Sequence, residues 1–280
     1  MDPHFRAFSF VDRITSFESG DRIHGEYLIP SGLDNFTASL VAEAVGQLAA
    51  WAAMATVDFK RRPVAGLAGE IVLLHPVRPG QRLELAVDLD TVDLDAASYA
   101  GTAHADGIPV IRLRHCLGPM MAVDHFDDPE ALRARFELLC NEGAVPGGFG
   151  GVPALPLERI EDEAGQRAIA ILRVPAQVDF FADHFPRRPV FPGSLLINAS
   201  MELAAALAGE MPAPAAGGSW ALRVISDVKL RAFTPPGAVL EIEARLNQLS
   251  PQAATMSVEA RKGKRVISGV RVGLAPEDRA

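Results

Sequence analysis

The chain has 280 residues, with 27 Lys and Arg against 35 Asp and Glu and a formal net charge of −8. That length suggests about two domains whose cores need no disulfide staples. Cys116 and Cys140 are too few for a disulfide framework or a cysteine metal site and suit a reducing compartment, while the acidic balance offers no net basic field to a phosphate backbone, so nucleic acid is not an expected partner.

The opening MDPHFRAFSFVDRI lacks a basic stretch followed by an apolar run, so no secretory signal is visible and a cytoplasmic protein is expected. From Phe36 to Val57 the residues are apolar or small except Thr37, Ser39, Gln47, Thr56 and one charge, Glu43. That length would span a bilayer, but a mid-segment carboxylate is costly there and no second span accompanies it. The segment therefore reads as a helix enclosed by protein, with no membrane partner. Pro79-Gly80 leads into an alternation that sets Leu83, Leu85, Val87 and Leu89 on one strand face, and a second period-two stretch covers Val110 to Leu117. FDDPEALRARFELLC predicts a helix with Asp128 as N-cap and Pro129 at its first position. In NEGAVPGGFGGVPALP, the cluster Gly147, Gly148, Gly150 and Gly151 lacks the Lys and Ser/Thr spacing of a phosphate loop and reads as a flexible linker.

The second half repeats the first. VDRITSFESGDRI (Val11 to Ile23) is echoed by LERIEDEAGQRAI (Leu157 to Ile169), the apolar helix by Phe191 to Met211, and the Pro-Gly corner by Pro236-Gly237, 157 residues on. Leu240, Ile242, Ala244 and Leu246 then alternate, and Val266 to Val272 do so again. The expected organisation is an N-terminal domain over 1–140, a linker over 141–154 and a C-terminal domain over 155–280. A helix apolar on all faces must be enclosed, and a twisted sheet can enclose it. The expected class is α+β: two repeats, each a long central helix wrapped by a curved antiparallel sheet, related by a pseudo-twofold like a fused dimer.

The most specific string is DHFPRRPVFPGSLLINASMELAAALA, Asp183 to Ala208. Prolines at this density fix the backbone, so His184 sits on a shaped loop leading into a helix N-terminus whose unpaired amides face whatever precedes Gly193. With His184, Phe185, Pro186, Pro189, Pro192 and Gly193 in place, the string resembles the FabA/FabZ family of 3-hydroxyacyl-[acyl carrier protein] dehydratases, here as a tandem, or double, hotdog. That family carries an acid fourteen positions after the histidine, where this chain has Asn198. Laying Ser39-Leu40 on Ser194-Leu195 puts Glu43 opposite Asn198, and Ile29 where a histidine would stand; EAVGQ, Glu43 to Gln47, looks like the family's helix motif. One half keeps the acid and the other the histidine.

In the family's dimers the two groups face each other across the twofold axis. The resemblance thus implies one complete site from His184 and Glu43, and a degenerate one marked by Ile29 and Asn198. It also implies removal of water from a (3R)-3-hydroxyacyl thioester: His184 takes the C2 proton, the Gly193 N–H holds the carbonyl oxygen and Glu43 protonates the departing hydroxyl. Gln47 steadies Glu43, a carbonyl near Val190 orients the imidazole, and Phe185 and Pro189 frame the loop. No cofactor is implied. The implied partner is an acyl carrier protein or a CoA thioester, with Lys60, Arg61, Arg62, Arg187 and Arg188 as a basic docking rim or, equally, ordinary solvated surface. Further association of the double unit is left open. A hotdog acyl thioesterase and a non-catalytic subunit binding acyl carrier protein or acyl chains are the alternative readings.

The remaining candidates carry less. A lone charge on an apolar helix is costly unless paired or used, which favours a working Glu43. Asp124-His125-Phe126 repeats the local spelling of the motif without its proline frame and reads as a strand end. His115 and Cys116 are strand neighbours and point to opposite faces. His24, His75 and His104 lack metal-ligand spacing, and no Gly-x-Ser-x-Gly elbow occurs, so neither a metal nor a serine nucleophile is expected.

Overall fold

The computed structural model describes residues 4–215 and 217–277. In chain order the first half forms β1 (Arg13–Glu18), β2 (Arg22–Leu28), α1 (Ala38–Thr56), β3 (Arg61–Pro63), β4 (Leu67–Leu73), β5 (Arg82–Val92), β6 (Ala96–Ala105) and β7 (Ile108–Ala122). Helix α2 (Pro129–Asn141) follows, then β8 (Leu157–Glu163), β9 (Arg167–Arg173), α3 (Gly193–Ala208), β10 (Trp220–Leu230), β11 (Val239–Leu249), β12 (Ala254–Lys262) and β13 (Arg265–Pro276).

The strands form one sheet in the order β1-β2-β5-β6-β7-β4-β10-β13-β12-β11-β9-β8, with β3 paired to β7. Exchanging each strand for its repeat counterpart reverses this order onto itself, so the pseudo-twofold passes between β4 and β10. Those two strands pair antiparallel, with Ile71 opposite Ile225. The result is a double hotdog, two helix-plus-sheet repeats sharing a continuous antiparallel sheet.

Alternation explains which face is covered. Leu83, Leu85, Val87 and Leu89 on β5 are buried, as are Leu240, Ile242 and Ala244 on β11, and each set lies on the side of its own helix. Gly101 allows β6 to approach α1 closely, since a Cβ there would stand 2.5 Å from Val45 Cγ1 and 3.0 Å from the Ala86 carbonyl oxygen. By length and composition α1 is able to cross a membrane, yet 61% of its apolar window is buried inside the protein. Its less buried positions, Ala42, Glu43, Gly46, Gln47 and Ala50, recur at helical spacing on the stripe that lines the cavity described below. Helices α1 and α3 also pack against each other.

Helix α2 begins where its cap residues predict, the Asp128 side chain accepting from the Glu130 N–H at 3.1 Å. Two local expectations need correction. The Gly/Pro-rich stretch is not a free linker: Phe149 is 3% exposed, with its ring 4.9 Å from Phe10 and 6.2 Å from Phe36, both edge-on. Burying one aromatic side chain outweighs the flexibility of the surrounding glycines. Asp124-His125 is not a strand end but part of a single 3-10 turn, Val123–His125, which turns Phe126 into a cluster with Val64, Phe185 and Val190.

Candidate active site

His184 sits on a loop that closes on itself. The His184 N–H donates to the Phe180 carbonyl (3.0 Å), the Val190 N–H to the His184 carbonyl (2.8 Å) and the Arg188 N–H to the Phe185 carbonyl (3.1 Å). The prolines between them remove donors that this compact loop could not satisfy. Nδ1 of His184 lies 2.8 Å from the Val190 carbonyl oxygen. A carbonyl only accepts, so Nδ1 carries the hydrogen and the Nε2 lone pair is free. Burial pushes the imidazole below its usual 6.5, opposed by the charge of Glu43 and aided by that of Arg62. Burial thus favours the uncharged ring, and the Val190 carbonyl fixes its tautomer with the hydrogen on Nδ1.

Gly193 opens α3, with Pro192 as N-cap. Its N–H precedes the first intrahelical acceptor, as does that of Ser194. A Cβ at Gly193 would stand 2.5 Å from Leu230 Cδ1, so a side chain there would have to displace the tip of Leu230 on β10. From the other half, Glu43 Oε1 accepts from Gln47 Nε2 at 3.1 Å. Gln47 is itself fixed: Nε2 also donates to the Phe8 carbonyl (2.9 Å), and Oε1 accepts from the Phe10 N–H (2.8 Å).

His184, Gly193, Val190 and Phe185 from the second half and Glu43 and Gln47 from the first all line one cavity of about 450 Å³. It runs between the two central helices and the β4–β10 seam, and its apolar wall includes Ala42, Met54, Ile71, Leu113 and Ile225. An imidazole, a helix-start N–H and a carboxyl group thus line one cavity, a set able to move a proton and steady charge on a carbonyl oxygen.

Other sequence candidates lie elsewhere. Pro189 is exposed and lines a separate hollow with Val178, Phe181 and Pro236. Ile29 is 0% exposed in the first half's core, and Asn198 accepts from Ser39 Oγ (3.1 Å) and donates to Glu202 Oε1 (2.7 Å); neither lines the cavity. Lys60 and Arg187 are exposed, the latter 3.9 Å from Asp128. Arg188 is exposed as well, its guanidinium 4.7 Å from the Phe233 ring centre, while Arg61 is partly buried on β3.

Arg62 departs from the expected docking rim. Its side chain is 11% exposed, with Cζ 3.9 Å from the Phe185 ring centre and Nη1 4.0 Å from Asp127, and it lines the cavity. Burial pulls it down to about 10, with Asp127 and Glu43 opposing. The run Lys60-Arg61-Arg62 reads as surface, but on a strand successive side chains face opposite ways, and that alternation was the available signal. Also missed was the segment from His4 to Ser9, of which His4, Phe5, Phe8 and Ser9 line the cavity; its sequence signal is the cluster Phe5, Phe8 and Phe10. Among the described residues, no three His, Cys, Asp or Glu side chains gather as a metal site.

The family model of ApeI-like dehydratases, described as ApeI dehydratase, matches residues 160–270. FabZ 3-hydroxyacyl-[acyl-carrier-protein] dehydratases are similar as well. That of Rhizorhabdus wittichii is 35% identical over 34% of this chain and 62% of its own length; that of Desulforamulus reducens is 39% identical over 35% and 68%; that of Lactiplantibacillus plantarum is 30% identical over 40% and 76%. The chain thus spans under two thirds of the first of these and somewhat more of the other two. Among solved structures, a MaoC-like dehydratase has a TM-score of 0.58 at 15% identity, covering 93% of this chain and 98% of its own. The 12:0-ACP thioesterase of Umbellularia californica has a TM-score of 0.56 at 10% identity, covering 99% and 98%. At such identities the structural likeness establishes the double-hotdog fold, and the sequence likeness establishes the lineage: the chain belongs to the FabZ-like family of hotdog dehydratases.

Proposed function

We propose that the protein removes water from a (3R)-3-hydroxyacyl thioester, carried on acyl carrier protein or coenzyme A, to give the trans-2-enoyl thioester, in fatty-acid or polyketide-type biosynthesis. The single observation that carries this reading is that His184 and Glu43, contributed by different repeats, line one cavity. Nε2 of His184 takes the C2 proton, and the C2–H electron pair forms the C2=C3 bond as the C3–O bond breaks. In the reactive protonation state the imidazole is neutral and the proton sits on Glu43, which delivers it to the departing hydroxyl; the hydroxyl leaves as water and the pair is left as imidazolium and carboxylate. Negative charge gathering on the thioester oxygen is met by the Gly193 N–H, a preorganised donor worth about 3 kcal/mol in the transition state. Gln47 fixes the rotamer of Glu43, and the Val190 carbonyl fixes the tautomer of His184. No step calls for a cofactor.

The acyl chain lies along the apolar wall between α1 and β4. Lys60, Arg187 and Arg188 are exposed cations that would face an acidic carrier protein. Incubation with 3-hydroxyacyl and trans-2-enoyl thioesters tests the reading. Interconversion of the two without release of free thiol is the expected result. Thiol release would instead identify a thioesterase, and no change in either compound would identify a binding subunit; both overturn the proposal.

A further inference from the structure

The segment from Phe5 to Phe10 joins the supports of both reacting groups. Toward α1, the Phe10 N–H donates to Gln47 Oε1 (2.8 Å) and the Phe8 carbonyl accepts from Gln47 Nε2 (2.9 Å), the same nitrogen that bonds Glu43. Toward the histidine loop, the carboxylate of Asp183 accepts from the Phe5 N–H, from the Phe8 N–H (2.7 Å) and from Ser9 Oγ (3.0 Å). Asp183 is the residue immediately before His184. The Phe8 ring also meets the His184 imidazole edge-on, with centres 5.9 Å apart. One short segment thus bridges the two repeats beside the cavity that His184 and Glu43 both line.

We propose that Asp183 is a positioning residue, anchoring the segment 5–10 as a strap that holds the base of one repeat and the acid of the other in register. The inference rests on the dehydratase reading for the identity of those groups. Three donors converge on one carboxylate, which offers about four acceptor sites and no hydrogen of its own. An amide at this position has a single acceptor oxygen and turns an NH2 toward donors, so it cannot replace the carboxylate even though it fills the same space. The charge of Asp183 supports that of Arg135 against burial, and Arg135 Nη2 donates to the Phe5 carbonyl at 3.3 Å, fastening the strap from α2. His4 contributes a further favourable charge. Because displacements near 1 Å in a catalytic arrangement cost about 10²-fold in rate, loss of the anchor acts on turnover through the groups it holds in place, although Asp183 also borders the cavity.

The test uses the full chain with Asp183→Asn, Asp183→Ala and Ser9→Ala. It reads turnover, KM and backbone hydrogen exchange of the peptide covering residues 4–12. Expected for both Asp183 variants is faster exchange in that peptide together with a fall in turnover of about 10²-fold at a KM within about threefold. Ser9→Ala, which removes one donor and leaves the carboxylate, loses less than tenfold and serves as the variant that keeps the fold. A merely space-filling role predicts Asp183→Asn close to wild type, which would overturn the proposal. So would faster exchange with unchanged turnover, or unchanged exchange in either Asp183 variant. A wild-type protein inactive on hydroxyacyl and enoyl thioesters would refute the dehydratase reading alone, because the exchange measurement still decides whether Asp183 anchors the strap.

Discussion

Replacing Gln47 with Ala tests how firmly the acid is held. The side chain makes three hydrogen bonds: to Glu43, to the Phe8 carbonyl and from the Phe10 N–H. Phe8 and Phe10 are buried, so their backbone groups have little access to water once the partner is gone. At about 1 kcal/mol net for each bond, the variant loses about 3 kcal/mol, and the desolvation of two orphaned backbone groups makes that a lower bound. At roughly 2–4 °C per kcal/mol for a chain of this size, thermal unfolding shifts down by several degrees. Turnover falls as well, by about 10²-fold, because Glu43 loses the donor that selects its rotamer. Thermal unfolding followed by circular dichroism and steady-state hydration of an enoyl thioester read the two effects on one preparation. A change in stability of less than about 0.5 kcal/mol with turnover within twofold would refute the reasoning, since it would mean that neither the segment nor the acid depends on this amide.

Three further outcomes are expected. On the proposed reading His184 takes the C2 proton, and burial holds its imidazole below the usual 6.5, so activity stays high as pH falls through 6.5 and is lost only when the ring protonates at lower pH; Arg62→Met removes a cation that disfavours that proton, and the acid limb of kcat/KM moves up toward 6.5. A wild-type limb above 6.5 contradicts this. Gly118→Ala drives a Cβ to 2.6 Å from the Val64 carbonyl oxygen, a backbone atom with little room to yield, and costs about 1–3 kcal/mol in denaturant unfolding, whereas Gly150→Ala, with open space around it, stays within about 0.5 kcal/mol. Phe149→Ala costs about 3 kcal/mol or more, where a loose linker would register almost nothing.

Much of this arrangement is legible in the sequence because it rests on local rules. The repeat of apolar helix, Pro-Gly corner and alternating strands follows from periodicity, and the start of α2 from Asp128 and Pro129. The histidine loop is visible through its prolines, and the split of acid and histidine between repeats through the paired helices. What escapes the sequence depends on contacts between distant segments. Arg62 belongs to a run of three cations that looks solvated, and only the pairing of β3 with β7 and the approach of Phe185 turn it inward. The segment 5–10 has neither helical nor strand periodicity; it is held by Asp183, 174 to 178 residues later, and by Gln47, 37 to 39 residues later, partners in different repeats that no spacing hints at. Phe149 lies among glycines that signal flexibility, and its burial is decided by Phe10 and Phe36 more than 100 residues earlier.

The central claim is that one imidazole and one carboxyl, from opposite repeats, act as a unit in a single cavity. It is tested most directly by turnover of an enoyl thioester with His184→Ala, Glu43→Gln and the double variant, alongside Asn198→Ala. Residues that act together are strongly non-additive. The account predicts that each single change costs nearly as much as both combined, while Asn198→Ala stays within about tenfold, near 1.4 kcal/mol. Losses that multiply in the double variant, or an Asn198→Ala defect as deep as that of Glu43→Gln, would contradict it.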